Sequence, residues 1–158
     1  MNPATLQSAG LLVLRLAVGT TFLVHGLDKL GDLSAAEQFF ASQSIPAPGA
    51  MAPFVGATET VGGALLIVGL ATPPVAAALT IDMLVALFTT HIDHGFFVAD
   101  GGFEHVLLLA GANLTLALAG SGRYSADAVS GLSRQLDLDA AVRLTRRISR
   151  RRADAGAV

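Results

Sequence analysis

The chain has 158 residues, 53% hydrophobic and 14% charged, with a formal net charge of −2 and a mean hydropathy of +0.62. That apolar content exceeds what a water-soluble domain usually carries and makes lipid the solvent. No cysteine is present, so thiol redox chemistry, thiolate-bound metals, iron–sulfur clusters and disulfide staples are excluded, and any electron handled here sits on a bound cofactor.

Four apolar stretches stand out, over residues 8–27, 52–71, 73–91 and 104–120. Each approaches the roughly 17 to 25 residues with which a helix crosses about 30 Å of hydrocarbon. The expected fold is an all-α membrane protein: an antiparallel four-transmembrane-helix bundle with a polar inner core over residues 1–120, followed by a basic cytoplasmic tail over 121–158. The first stretch reads as a helix rather than a cleaved signal peptide. Residues 1–10 carry no Lys or Arg, Arg15 interrupts the apolar run, and no small-residue cleavage site follows.

On the first helix Arg15, Gly19, Phe22, Gly26 and Lys29 recur at spacings of three and four, with His25 on the flank, so this stripe faces the bundle. The connection "DKLGDLSAAEQFFASQSIPAPGAMAP" reads as a loop in which Glu37 to Phe40 form a short interfacial helix. Glu59 on the second helix lies among Gly56, Gly62 and Gly63, small residues that let helices approach closely. "GLATPP" stops that helix with Gly and starts the third with prolines. Counting depth from the assumed helix ends puts Arg15, Glu59 and Asp82 in one layer, roughly 10 to 18 Å from the inner face. An isolated charge there is expensive, so Arg15 is expected to pair with Glu59 or Asp82 and leave one spare acid.

A second layer gathers at the outer end: His25, Lys29, His91, His94, Glu104 and His105. His91 and His94, with Asp93, Glu104 and His105 nearby, have the side chains of metal ligands, but "HIDHGFFVADGGF" offers no spacing of the HExxH kind and no metal site is expected. Asn113 on the fourth helix falls about 180° round from Glu104 and reads as interhelical glue. Beyond Gly120, Val129, Leu132, Leu136, Ala140, Leu144 and Ile148 recur at spacings of three and four among arginines. That pattern describes a basic helix lying on an anionic leaflet or docking a cytoplasmic partner. Eight of the ten Lys and Arg residues follow position 120, which places the C-terminus in the cytoplasm and, with four spans, the N-terminus as well.

"RLAVGTTFLVHGLDKL", "ETVGGALLIVGLAT" and "HGFF...GGFEHVLLLAGANLTLALAGSGRYSAD" together resemble the DoxX family of small four-helix membrane proteins, over nearly all of residues 10–130. The resemblance implies a respiratory or redox-linked subunit of the cell inner (plasma) membrane, since the family is named from components associated with a quinol oxidase and includes a subunit of a thiosulfate:quinone oxidoreductase. Arg15, His25, Lys29, Glu59 and Glu104 match the family pattern. The missing cysteines set this chain apart from any member that would oxidise sulfur compounds alone.

Two functions follow as expectations. In one, the chain is a subunit of a quinone-linked oxidoreductase, with His25, Lys29, Glu59 and Glu104 as catalytic residues and Arg15, Phe22, Asp82, His91, Phe96 and His105 as ligand-binding residues. His25 or Lys29 would hydrogen-bond a quinone carbonyl, Phe22 and Phe96 would pack on the ring, and Glu59 or Glu104 would exchange the proton. In the other it is a non-enzymatic scaffold that assembles redox enzymes. The expected partners are membrane lipids and a soluble or membrane oxidoreductase, not nucleic acid. A permease fits poorly with so few helices and no internal repeat.

Overall fold

Asn2 accepts from the Ala4 amide at 3.1 Å and Pro3 supplies the fixed φ of a first helical position, so α1 begins well before the apolar run and spans Pro3–Gly31. The computed structural model describes residues 2–130, and all regular structure among the described residues is helical. After α1 come α2 (Leu33–Ser42), α3 (Pro48–Val68) and α4 (Thr72–Ala86). A π turn (Leu87–His91) and two 3₁₀ turns (Ile92–His94 and Val98–Asp100) then lead to α5 (Glu104–Ala119) and the short α6 (Ala126–Ser130). The interfacial helix expected over Glu37 to Phe40 is longer than that, because Asp32 caps it at the Ala35 amide.

Among the described residues, three helices are long and apolar enough to cross a membrane: Pro3–Gly31, Pro48–Val68 and the continuous helical stretch Thr72–His94. At 16 residues, Glu104–Ala119 is shorter. Val13, Phe88, Leu108 and Leu118 point outward from these helices, the surface that lipid rather than water accepts.

Packing starts from the α1–α3 pair. A Cβ on Gly63 would lie 2.5 Å from the Leu23 amide nitrogen, and one on Gly26 would strike the backbone of Thr60, so the two backbones touch where only glycine fits. Leu79 of α4 fills the space over Gly62. Leu66, Leu79, Met83, Leu109 and Leu116 then join α3, α4 and α5 in one apolar core, which Val18 and Phe22 extend to α1. α2 lies across the end of α3, its Ala36 and Phe40 buried against Ala52.

At the opposite end the α3–α4 turn is held by α6. Gly69 and Ala71 both take left-handed conformations, at φ 71° and 50°. The Asp127 carboxylate accepts from the amides of Ala71 and Thr72 at 2.8 and 3.1 Å, and its own amide donates to the Gly69 carbonyl at 3.0 Å. Asp127 thus caps α4 from 55 residues away, where the local residue, an alanine, has no side chain to do so. The stripe of Leu132, Leu136, Ala140, Leu144 and Ile148, and with it the basic tail, lies outside the described residues.

Candidate functional site

The crossing of α1 on α3 decides which charges meet. Gly19 lies against Gly63 and Ile67, Gly26 against Thr60, and Gly56 against Lys29, so successive turns of α1 meet successive turns of α3 in reverse order. In that register the Lys29 ammonium donates to Glu59 Oε2 at 2.6 Å, with 23% of the lysine side chain and 5% of the glutamate exposed.

Arg15 therefore does not pair with Glu59 or Asp82. It sits fourteen residues before Lys29, about 21 Å away along the helix. There its guanidinium lies over Gly69 at the α6 end, wholly buried, and donates through Nη2 to the Tyr124 carbonyl. The acid whose charge acts on it is Asp127. The helix ends are not level as equal depths would require, because α1 runs about three turns past the end of α3.

Around the Lys29–Glu59 pair the helices leave a cavity of about 310 Å³. α1 contributes Phe22, His25 and Lys29, α3 contributes Glu59, α4 contributes Asp82, the π turn contributes His91 and α5 contributes His105. The His25 and His105 rings come together tilted by 51°, with centroids 6.3 Å apart. The His91 Nδ1 is 2.6 Å from the Gly101 carbonyl oxygen. Asp82 feels the charges of Glu59 and Lys29, yet its Oδ2 is buried without a hydrogen-bond partner. One lysine thus stands against two carboxylates, inside walls that are otherwise mostly apolar.

Three of the expected site residues lie elsewhere. Arg15 is at the far end. Glu104 turns toward the loop before α5 and accepts from the Val98 amide at 3.1 Å, bracing that loop. Phe96 packs edge-on against Phe97 and Phe103, each with centroids 5.5 Å apart, and half of it stays exposed. His94 faces back to the Thr90 carbonyl at 3.0 Å, and no group of three or more His, Asp or Glu among the described residues is placed to hold a metal ion.

Two parts of the site carry no signal in the sequence that assigns them to it. Phe39 and Phe40 of α2, with Ile45 behind them, close one wall of the cavity. Their adjacent aromatics were visible in the sequence, but the partner they cover was not. The π turn at Leu87–His91, which brings Thr89, Thr90 and His91 to the cavity, has no local sequence signature, although such turns often occur at functional sites.

The comparisons with known proteins agree with the motifs that build this site. The DoxX family model matches residues 10–92, which include most of α1 and all of α2, α3 and α4. A Bacillus subtilis protein named "Putative oxidoreductase CatD" is 37% identical over 112 residues, covering 71% of this chain and 80% of the relative. The chain belongs to the DoxX family. Two Escherichia coli relatives of this DoxX protein are named "Inner membrane protein YqjF" and "Inner membrane protein YphA". Each is 29% identical, over 77% and 74% of the chain and 92% and 87% of the relative. No solved structure matches significantly. As a DoxX protein with three helices of membrane-spanning length, the chain is a membrane protein.

Proposed function

We propose that this DoxX protein binds a quinone-type lipid in the cavity around Lys29, Glu59 and Asp82 and serves as the membrane subunit of a redox enzyme. The observation that carries the reading is the cavity itself. It is about 310 Å³, at the small end of the range of ligand pockets, and largely apolar, with a few polar groups converging at one place. Its few polar side chains, Lys29, Glu59, Asp82, His25 and His105 among apolar walls, fit a ligand that brings a polar ring edge on an apolar body. When bound, such a lipid supplies the two-electron chemistry that the side chains lack.

The chain's own residues would divide the work. Phe22 and the Phe39–Phe40 wall enclose the ring and keep water out. Lys29 fixes the Glu59 carboxylate, and Asp82, His25 and His105 supply hydrogen-bonding groups in the cavity lining and are the candidates to take up or release a proton there. Glu104 and Arg15 belong to the supporting frame.

The same reading includes the membrane arrangement. α1, α3, α4 and α5 cross as an antiparallel four-helix bundle with a polar core, both termini in the cytoplasm and the cavity toward the outer face. Support comes from the packing of α5 on α4 and from the eight Lys and Arg residues after position 120. The name of the Bacillus subtilis relative supports a redox role.

The test is mass spectrometry of the lipids retained after gentle detergent purification, with an absorption spectrum to detect haem. About one quinone per chain supports the reading. Absence of quinone, together with a co-purifying oxidoreductase, supports a scaffold that assembles redox enzymes instead.

A further inference from the structure

Leu79 of α4 lies against Gly62 of α3 near the turn that joins the two helices. Val55 of α3 and Ala86 of α4, each seven residues farther from the turn on those same helix faces, line the cavity instead. The two helices therefore part toward the cavity. On one flank of the α4 stretch, Met83 and Leu87 are buried in the apolar core with Val106 and Leu109 of α5. Val85 lies about 200° round the axis from both, where it lines the cavity and yet stays 54% exposed. Ile81 and Phe88, a turn to either side of it, are exposed too and continue an apolar stripe over the outside of α4. Val85 comes thirteen residues after Thr72, about 20 Å along a span that crosses about 30 Å of hydrocarbon, so this gap faces lipid.

We infer that the cavity opens sideways into the hydrocarbon between α3 and α4, and that its ligand carries an apolar tail that leaves past Val85 to lie along Ile81 and Phe88. This rests on the reading of the cavity as a quinone-lipid site and adds to it the place of the tail. A cavity of about 310 Å³, at the small end for ligands, encloses a ring and leaves a long chain outside. The α3–α4 gap lets that chain stay among lipid tails while the ring reaches Lys29, Glu59 and Asp82, so the ligand need not cross the water phase.

The experiment uses the absence of native cysteine. Val85→Cys and, as a control on α5, Leu118→Cys are purified in detergent as the full folded chain and compared before and after alkylation with a bulky aryl maleimide. Calorimetry measures binding of two para-benzoquinones, one with a decyl chain and one with a methyl group in its place. Alkylation of Val85→Cys is expected to weaken binding of the decyl quinone about tenfold, within the cost of overpacking one contact, and to change the methyl quinone by less than about twofold. Alkylated Leu118→Cys is expected to bind both as before, and saturating decyl quinone is expected to slow alkylation at Val85→Cys alone. Undiminished binding of the decyl quinone by alkylated Val85→Cys, or equal loss of both quinones, overturns the side opening and leaves the cavity reading standing. Binding of neither quinone by the unaltered chain overturns both.

Discussion

Lys29 of α1 and Glu59 of α3 meet at 2.6 Å in the wall of a cavity, one turn from the place where Gly26 lets the two backbones touch. The close crossing and the ion pair depend on each other. A side chain at Gly26 would push α1 away from Thr60 and carry Lys29 out of reach of Glu59.

Removing one partner of this pair leaves a charge that the surroundings do not solvate. Lys29→Met is expected to cost about 2 kcal/mol, less than the ~3–5 kcal/mol of a fully buried pair because the lysine keeps 23% exposure. Adding Glu59→Gln should restore part of the loss. Thermal melting in detergent checks both, and a double variant less stable than Lys29→Met alone would contradict the pairing.

At the α6 end, Asp127→Ala removes the acceptor of the Ala71 and Thr72 amides and is expected to cost about 1–2 kcal/mol, as loss of a helix cap does. Asp127→Asn keeps an acceptor oxygen and should cost less. Gly69→Ala is expected to be worse than either, because its Cβ would collide with the Arg15 guanidinium at a φ of 71°. Gly111→Ala, where a Cβ meets nothing within 4 Å, should instead stabilise α5 by about 0.5–1 kcal/mol. Melting temperatures that rank these four variants otherwise would contradict the α6 lock.

Much of this was legible in the sequence, and the errors have a physical source. Apolar periodicity marked the helices, and the stripe Arg15, Gly19, Phe22, Gly26, Lys29 does lie inward, although its two charged ends serve opposite ends of the molecule. A stripe gives direction round a helix axis and says nothing about register along it, which is why Arg15 was matched to the wrong acid. Register comes from the glycine contacts between α1 and α3, and these are properties of two helices together. Similarly, Glu104 carried the right residue type at the right end, but a bond to the Val98 amide six residues earlier turns it away from the cavity.

Glu104 and His25 should therefore separate in experiment. Glu104→Ala is expected to lower stability by about 1 kcal/mol through loss of one side-chain hydrogen bond and to leave lipid retention unchanged. His25→Ala is expected to do the reverse, reducing the retained quinone while shifting stability by less than about 0.5 kcal/mol, as exposed substitutions usually do. Quantified lipid extracts beside melting curves check the pair; equal retention in wild type and His25→Ala would remove His25 from the site.

Sidedness can be read independently. A cysteine introduced at Ser44, in the turn after α2, is expected to react with an impermeant thiol reagent in intact cells, and one at Ser149 is not. The protein has no cysteine of its own to confuse the labelling. The opposite pattern would place the cavity on the cytoplasmic side.

The central claim is that a ring ligand occupies the cavity between α1, α3, α4 and α5, and photolabelling with an azido-quinone followed by peptide mapping tests it most directly. Adducts are expected on the segments Phe22–Lys29 and Asp82–His91, and they should disappear in Ala86→Phe, which fills the cavity from the α4 wall. Adducts confined to outward-facing residues such as Leu108 and Leu118, or labelling undiminished by Ala86→Phe, would contradict it.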